Sequence, residues 1–335
     1  MRTRDLADYG ILSVVWGLSF VVLLRVVHAF GWVGAVTFRA LLAGGLLLAI
    51  AAATRRKLDF GVGWRPLTVV GATTVAGQLV GMSFAMPRIG TAMAAIIVGT
   101  IPLFSMIIGR IWGVEHITGQ GWIGLGLGLA GIVMLVGFPA VPVTRSFVIG
   151  CVGSLLAAIS AAYGSNYARA RLRLVGSWEV TIGSFLAGGL MTLPLLFAVP
   201  VPSGPRPVDF GYLLILGAVM SALAYVLYFR LVADIGATRA ISVEFVVTAI
   251  AVLVGSVLLH ERLSVPQLVG AVVIIVGCAL VLGLVPPRSR LWLERRGEHG
   301  DRGGGGGGEA EPDGHTAPPT GEAGRARQPY DGQPG

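Results

Sequence analysis

Glu244 is the residue whose type and position most clearly predict chemistry. It lies several residues inside the apolar run AISVEFVVTAIAVLVGSVLL, and the nearest basic residue along the chain is Arg239. A carboxylate at that depth in an apolar segment is costly and usually faces a cavity or a partner. We therefore expect a proton-binding or cation-binding role, with Thr248 and Gly255 extending a polar stripe on the same helical face. The alternatives are a place near the interface and a structural pair with Arg39 or Arg239.

Arg39 is the second deep charge, within the apolar run GAVTFRALLAGGLLLAI. A guanidinium can bind a substrate carboxylate through two parallel hydrogen bonds. It can equally act as the counter-ion of Glu244 or form a structural pair on an inner wall. The sequence leaves these roles for Arg39 open.

Aromatic and amide side chains inside other apolar runs are candidates for lining the same site. Aromatic faces attract organic solutes and amines, although aromatic residues at helical spacing more often serve packing. Amides inside a membrane can line a cavity or form hydrogen bonds between helices. The residues concerned are Trp16, Tyr163, Tyr225, Tyr228, Gln78 and Asn166.

Other chemistry-bearing residues predict structural roles. Glu115 and Glu261 lie at helix ends and are expected to hold loops, while Thr118 and Ser264 are expected to cap the helices that follow. The histidines beside the two glutamates lack the spacing and the third ligand of a metal site. We therefore expect no metal.

No residue set in the sequence predicts an enzyme or a cofactor site. Cys151 and Cys278 have no metal or redox spacing and are expected to be small packing residues. The glycine runs follow no strand and precede no Gly-Lys-Ser/Thr, so they are not phosphate loops. Without a convergent nucleophile, base or metal set, a membrane-embedded enzyme is disfavoured.

The composition indicates that these residues belong to a membrane protein. Of 335 residues, 54% are hydrophobic and 13% are charged, and the mean hydropathy is +0.79. An average soluble domain is about a quarter charged. The net charge of +8 comes from short tracts between apolar runs, which are typical of membrane orientation signals and not of a nucleic-acid surface.

The apolar runs predict ten transmembrane helices, since a bilayer core about 30 Å thick needs about 20 apolar residues. The predicted fold is therefore an all-α integral membrane protein. The runs start near Tyr9, Gly31, Leu67, Thr91, Gln120, Phe147, Thr181, Gly211, Ala237 and Val265 and end near Val285.

Loop charges predict that both termini are cytoplasmic. With a cytoplasmic N-terminus, sixteen basic residues fall on the inner side and five on the outer side, as the positive-inside rule requires. Residues 288–335 contain six consecutive glycines and little apolar content, which predicts a disordered cytoplasmic tail.

An internal repeat divides the membrane part of the chain into residues 1–143 and 144–287. An offset of 146 matches residues in the same order in both copies. Five helices in each copy force opposite orientations, as in many secondary transporters. The matched pairs are Gly90 with Gly236, Glu115 with Glu261, Gly124 with Gly270, and Gly131 with Gly277.

The chain resembles the EamA-type branch of the drug/metabolite transporter superfamily over roughly residues 8–286. The resemblance implies two inverted repeats, transport of a metabolite or drug, and an arginine at the position of Arg39. One departure is Thr248, where the family usually has a proline matching Pro102, so bending of the ninth helix is expected to differ. The motifs are Trp16-Gly-Leu-Ser-Phe20, Arg39 with the Ala/Leu run after it, Pro102-Leu-Phe104, Ala224-Tyr-Val-Leu-Tyr-Phe-Arg230, Gly236-Ala-Thr-Arg-Ala240 and Leu259-His-Glu-Arg-Leu-Ser264.

These observations together predict a secondary transporter in the bacterial cytoplasmic membrane. We expect an alternating-access exporter of small organic metabolites, driven by proton exchange or by the solute gradient. Amino-acid-like solutes would suit Arg39 with Glu244, and amine or drug-like solutes would suit Glu244 with the aromatic residues. A passive channel and a lipid flippase remain alternatives. The expected partners are the solute and membrane lipid, with a homodimer left open and no nucleic acid.

Overall fold

The computed structural model describes residues 3–113, 118–137, 142–202, 204–235, 240, 243–261 and 263–281, and these residues are mainly helical. The predicted tail at 288–335 lies outside these residues. In chain order the elements are α1 (Thr3–Ala53), α2 (Trp64–Val70), a first π-helical turn (Gly71–Gly77), α3 (Gln78–Ile89), α4 (Thr91–Val98), α5 (Ile101–Ile111), α6 (Gly119–Gly137), α7 (Arg145–Arg171), α8 (Ser177–Thr192), α9 (Leu195–Ala198), α10 (Pro207–Gly217), a second π-helical turn (Ala218–Leu223), α11 (Ala224–Ile235), α12 (Val243–Leu258) and α13 (Val265–Val281).

Several helical stretches are long and apolar enough to cross a membrane. Within the described ranges there are six, and shorter apolar helices occur at Gly119–Met134, Val243–Leu258 and Val265–Leu280. The expectation of an all-helical, multi-pass membrane protein is thereby confirmed. The six stretches are Thr3–Ala53, Trp64–Ile89, Thr91–Ile111, Arg145–Arg171, Ser177–Ala198 and Pro207–Ile235.

The longest helix, α1, changes direction at Gly31. At about 1.5 Å per residue, its 51 residues would reach about 75 Å, more than twice the thickness of a bilayer core. Gly31 interrupts the helix with φ 73° and ψ 164°, a backbone conformation that only glycine adopts at little cost. The interruption falls where the second apolar run of the sequence begins.

The outer surface of the bundle is apolar. Val133, Leu156 and Leu253 are each at least 60% exposed, whereas the interior contains polar residues such as Arg39 and Glu244, both less than a tenth exposed. Because lipid tails are as apolar as leucine, this inverted distribution suits a lipid environment and not water.

Close backbone contact between α6 and α13 depends on glycines that the sequence repeat pairs with one another. A Cβ atom added to Gly131 would lie 2.7 Å from the carbonyl oxygen of Gly270. In return, a Cβ atom on Gly277 would lie 2.7 Å from the carbonyl oxygen of Gly124. Small residues of this kind let membrane helices approach closely and gain van der Waals contact.

Two π-helical turns occur at positions that the same offset of 146 superposes. Shifting Gly71–Gly77 by 146 residues gives 217–223, which includes the second turn at Ala218–Leu223. Wider turns leave backbone carbonyls without their usual partners, and hydroxyl side chains can satisfy them. Ser160 Oγ donates to the carbonyl of Thr73 at 2.9 Å, and Ser221 Oγ donates to that of Leu216 at 2.8 Å.

We predict that Gly131→Ala lowers the thermal stability of the purified protein, because the new methyl group meets a backbone carbonyl that cannot move aside. Overpacking of this kind costs about 1–3 kcal/mol. Gly126→Ala in the same helix is the matched control, since nothing lies within 4 Å of its added Cβ. Thermal unfolding in detergent would measure both variants, and equal midpoints would contradict the tight contact.

Candidate functional site

Glu244 lies in the first turn of α12 and is buried, with 8% of its surface exposed. It lines two small neighbouring cavities inside the bundle, which we call the central cavities. Trp16, Gln78 and Tyr225 also line both. The structure therefore brings together residues from α1, α3, α11 and α12 that are far apart in the sequence.

The central cavities are narrow. Their volumes are about 30 Å³ and about 20 Å³, which is roughly the space of one water molecule in the liquid. Arg39 lines the first cavity, and Tyr228 and Ser165 line the second. An organic solute can enter only if the lining helices move apart.

Aromatic rings form one wall of the central cavities. The ring of Trp16 lies 5.2 Å from that of Tyr225 and 5.3 Å from that of Tyr228, measured between centroids. Phe185 packs edge-on against Tyr225 at 4.7 Å. The hydroxyl of Tyr228 donates a hydrogen bond to Ser165 Oγ at 3.2 Å, which fixes its orientation. This wall combines ring faces with a nearby carboxyl group, an arrangement that suits a cation.

Arg39 is held by the second π-helical turn. Its Nε donates to Ser221 Oγ at 2.9 Å, and the Ser221 hydroxyl donates in turn to the Leu216 carbonyl. Since a hydroxyl has one proton, Ser221 must accept from Arg39 while it donates to the backbone. Between the described side chains of Arg39 and Glu244 there is no ion pair within 4.0 Å, and Arg239 lies outside the described residues.

Three other predicted residues lie away from the central cavities. Thr248 Oγ1 donates to the carbonyl of Ala95 at 3.2 Å, so this face of α12 packs on α4. Tyr163 is 38% exposed and packs edge-on against Trp112. Asn166 Nδ2 donates to Ser105 Oγ at 2.8 Å and so joins α7 to α5. The polar stripe expected from Glu244 to Thr248 is thus divided between a cavity and a helix contact.

A larger cavity of about 490 Å³ lies between the ends of α7 and α11 and the start of α8. Asn166 lines it together with Arg169, Arg173 and Asp234. Its neighbour in sequence, Ser165, lines a central cavity. Consecutive residues of α7 therefore line the larger cavity and one of the central cavities.

Sequence reasoning missed the serines of the site. Ser221 is fully buried and Ser165 nearly so, yet serine is common in helices and carries no charge that would mark it. The shift in register that turns Ser221 towards Arg39 comes from a π-helical turn, which has no signature in the apolar pattern. Ser221 is the single hydroxyl residue of that turn, Ala218–Leu223.

The helix-end predictions agree with the hydrogen bonds. Thr118 Oγ1 accepts from the backbone N–H of Gly121 at 3.2 Å, and Ser264 Oγ accepts from that of Gln267 at 3.3 Å. Both caps are thereby confirmed. Glu261 accepts from the first backbone N–H groups of α4, while Glu115 lies outside the described residues.

No group of three or more metal-ligating side chains occurs in the part of the chain that the structure describes. Cys151 and Cys278 are both buried and unpaired with each other. Both belong to the hydrophobic core, as the sequence predicts, and Cys278 Sγ also donates to the carbonyl of Gly99 at 3.4 Å.

Comparison with known proteins identifies the family. The EamA-like transporter family matches residues 9–137 and 148–283, which together are most of the chain. The chain belongs to the EamA-like transporter family. It is therefore a membrane transporter, and the expected resemblance is confirmed.

Relatives that match over most of their length support the location and the class of function. The inner membrane transporter YedA of Escherichia coli K12 is 28% identical over 301 residues, which cover 84% of this chain and 92% of YedA. Protein PecM of Dickeya dadantii is 27% identical, with coverage of 82% and 90%. The protein is a multi-pass protein of the bacterial plasma membrane.

A solved structure shares the fold. A crystal structure with 17% sequence identity superposes with a TM-score of 0.60, covering 89% of this chain and 100% of the other. At this identity the similarity concerns the fold alone.

We predict that Ser221→Ala destabilises the protein, because both the Leu216 carbonyl and Arg39 Nε lose a buried partner. An unsatisfied buried group costs about 1–3 kcal/mol. Ser256→Ala in α12 is the control, since its hydroxyl donates only to carbonyls of its own helix. Thermal unfolding would measure the difference, and a shift no larger than that of the control would argue against the Arg39 contact.

Proposed function

We propose that this protein is a secondary transporter that exports small organic metabolites by alternating access, with proton exchange or the solute gradient as the driving force. The observation that carries the proposal is the pair of buried charged residues, Arg39 and Glu244, lining one small cavity with an aromatic wall. Intramembrane ionisable residues that face a cavity mark substrate or ion pathways by default.

The lining residues favour an amino-acid-like or amine-like solute. Arg39 can bind a carboxylate through its free guanidinium nitrogens, because Ser221 occupies only Nε. Glu244 with Trp16 and Tyr225 can hold an ammonium group. We propose Gln78 and Tyr228 as further contacts in the same pathway. Asn166 lines the larger cavity, whereas Tyr163 and Thr248 are candidates only for a form in which the helices have moved.

The size of the central cavities supports a moving carrier. A site for a small organic solute usually measures about 300–1,000 Å³, about ten times the volume present. We therefore propose that the helices part on one face to admit the solute and close again before the other face opens. The 490 Å³ cavity beside Arg169 and Arg173 is the proposed approach from the cytoplasm, which accords with export.

We propose ten transmembrane helices in two inverted repeats, at residues 1–143 and 144–287, with cytoplasmic termini. The reciprocal glycine contact of α6 with α13 and the paired π-helical turns support the repeat, as does the match of the family to two successive segments. The excess of basic residues on one side supports the orientation. Two halves of similar shape and opposite direction can exchange inward-open and outward-open forms at similar energy.

Counterflow in reconstituted vesicles tests the carrier mechanism. Solutes would first be identified by comparing metabolites exported by cells with and without the gene. Unlabelled solute trapped inside vesicles should then accelerate uptake of labelled solute by several-fold, because a carrier returns faster when loaded. High flux without this acceleration would instead indicate a channel and overturn the proposal, while labelled lipid moving between leaflets would indicate a flippase.

We predict that Glu244→Gln abolishes transport driven by a pH gradient while folded expression is retained, because an amide of the same size cannot release a proton. Counterflow at equal pH, measured in the same variant, separates a loss of proton coupling from a loss of solute binding. Glu179→Gln, which changes another buried carboxyl group at the start of α8, is the matched control. Normal proton dependence in the Glu244 variant would rule out its coupling role.

A further inference from the structure

The two ends of the bundle can be told apart by contacts between aromatic residues. Trp32, just after the bend of α1, packs against Phe84 near the end of α3. Phe30, just before the bend, packs against Phe210 at the start of α10. These helix ends therefore lie at one end of the bundle, which we call the Gly90 face. The other ends of these helices lie at the opposite end of the bundle, together with the start of α1, which carries Asp8. We call this end the Asp8 face.

At the Gly90 face, Glu261 joins the two predicted repeats. Its carboxylate accepts from the backbone N–H groups of Thr91 and Ala92 at 2.7 Å each, and also from the Thr91 hydroxyl. Charge-assisted hydrogen bonds of this kind are about twice as strong as neutral ones. The N-terminus of α4 adds a favourable dipole. We call this contact the Glu261 clamp.

Small residues leave room for the Glu261 carboxylate. A Cβ atom on Gly90 would lie 3.2 Å from Glu261 Oε2, and one on Gly255 would lie 3.0 Å from it. The backbone N–H of Glu261 donates to the carbonyl of Gly255 at 3.1 Å. Glu261 is thereby tied to the end of α12, whose first turn carries Glu244, so a tilt of α12 would move both residues.

At the Asp8 face, an ion pair joins the same two repeats. Arg230 of α11 donates through a terminal guanidinium nitrogen to Asp8 of α1. Asp8 is buried, with 8% of its surface exposed, so solvent screens the pair less than a surface pair. Within α11 the same guanidinium lies 3.9 Å from Asp234. We call the contact between α1 and α11 the Asp8 clamp.

We propose that the Glu261 clamp and the Asp8 clamp are opposing gates, each of which holds its own face of the transport pathway shut. Each clamp connects residues from both repeats and lies at an opposite end of the central cavities. Breaking one clamp lets the two repeats separate on that face, while the other clamp keeps the far face closed. The proposal rests on the alternating-access function, which needs a contact that closes the pathway on each of the two faces.

Access to a cysteine in the central cavity tests the two gates without a known solute. The background replaces Cys151 and Cys278 with serine, and Ser19→Cys supplies a thiol that lines the first cavity. A membrane-impermeant methanethiosulfonate is applied to each side of oriented vesicles. Glu261→Gln should raise the labelling rate about tenfold from the Gly90 face, and Asp8→Asn should raise it similarly from the Asp8 face, since each loss shifts the population of open forms.

Local contacts on the same faces provide matched controls. Asp209 accepts from the backbone N–H of Arg206 within the first turn of α10 at the Gly90 face, so Asp209→Asn removes a carboxylate cap that joins no repeats. At the Asp8 face, Asp59 in the loop after α1 accepts from the backbone N–H of Gly61 at 2.8 Å, so Asp59→Asn likewise removes a carboxylate that makes a local contact. Neither control should change labelling from either side. Equal effects of the controls and the clamp variants would overturn the proposal.

A cross-link covers the case in which a clamp variant fails to fold. Thr91→Cys with Glu261→Cys replaces the Glu261 clamp with a disulfide, which should block access to the cavity from the Gly90 face until a reductant cleaves it. The cavity thiol is here replaced by a fluorophore at the same position so that only one thiol pair is present, and collisional quenching from each side reports access.

The outcomes separate the gates from the transport function. Labelling rates that rise on opposite faces in the two clamp variants support the gates, even if counterflow fails. In that case the carrier proposal alone is wrong. Counterflow with unchanged access in both clamp variants overturns the gates and leaves the carrier intact. A rise on the same face for both variants also contradicts the proposal.

Discussion

The cost of placing polar groups inside an apolar bundle governs this structure. Lipid cannot satisfy a carboxylate, a guanidinium or a freed backbone carbonyl, so each must find a partner or a cavity within the protein. Arg39 meets this requirement through Ser221, whose hydroxyl also serves the Leu216 carbonyl. Glu244 instead lines a cavity. Arg39 is therefore held in place by a hydrogen bond, whereas Glu244 faces the space that a solute or a proton would occupy.

Departures from regular helix position the polar residues of the site. The π-helical turn at Ala218–Leu223 presents Ser221 to Arg39 and is followed directly by the segment that carries Tyr225. Its counterpart at Gly71–Gly77 is followed by Gln78. Both turns thus precede a residue that lines the central cavities. An extra residue in a helical turn rotates the following side chains, which links a local backbone feature to the shape of the cavity.

The helix α12 connects the candidate site with one end of the bundle. Glu244 lies in its first turn, Thr248 packs on α4, and its end is tied to Glu261, which caps α4. A change at Glu244 that tilts α12 would therefore reach the Gly90 face through a single rigid element. In the proposed mechanism, α12 would be the element that couples the site to the Glu261 clamp, because both contact it.

The sequence alone determined the class of environment and the residues that would be costly within it. Apolar composition, runs of about 20 residues and the family motifs were enough to predict a helical membrane transporter, and Arg39 and Glu244 were identifiable because charge is rare in such runs. The repeat was visible in the glycines that later prove to lie at backbone contacts. The tertiary structure decided which residues share a cavity: it joined Trp16, Gln78 and Tyr225 to Glu244, and it directed Thr248 and Tyr163 elsewhere. Helical spacing gives the face of a residue within one helix but not the neighbour that this face meets, since that depends on the packing of helices distant in sequence.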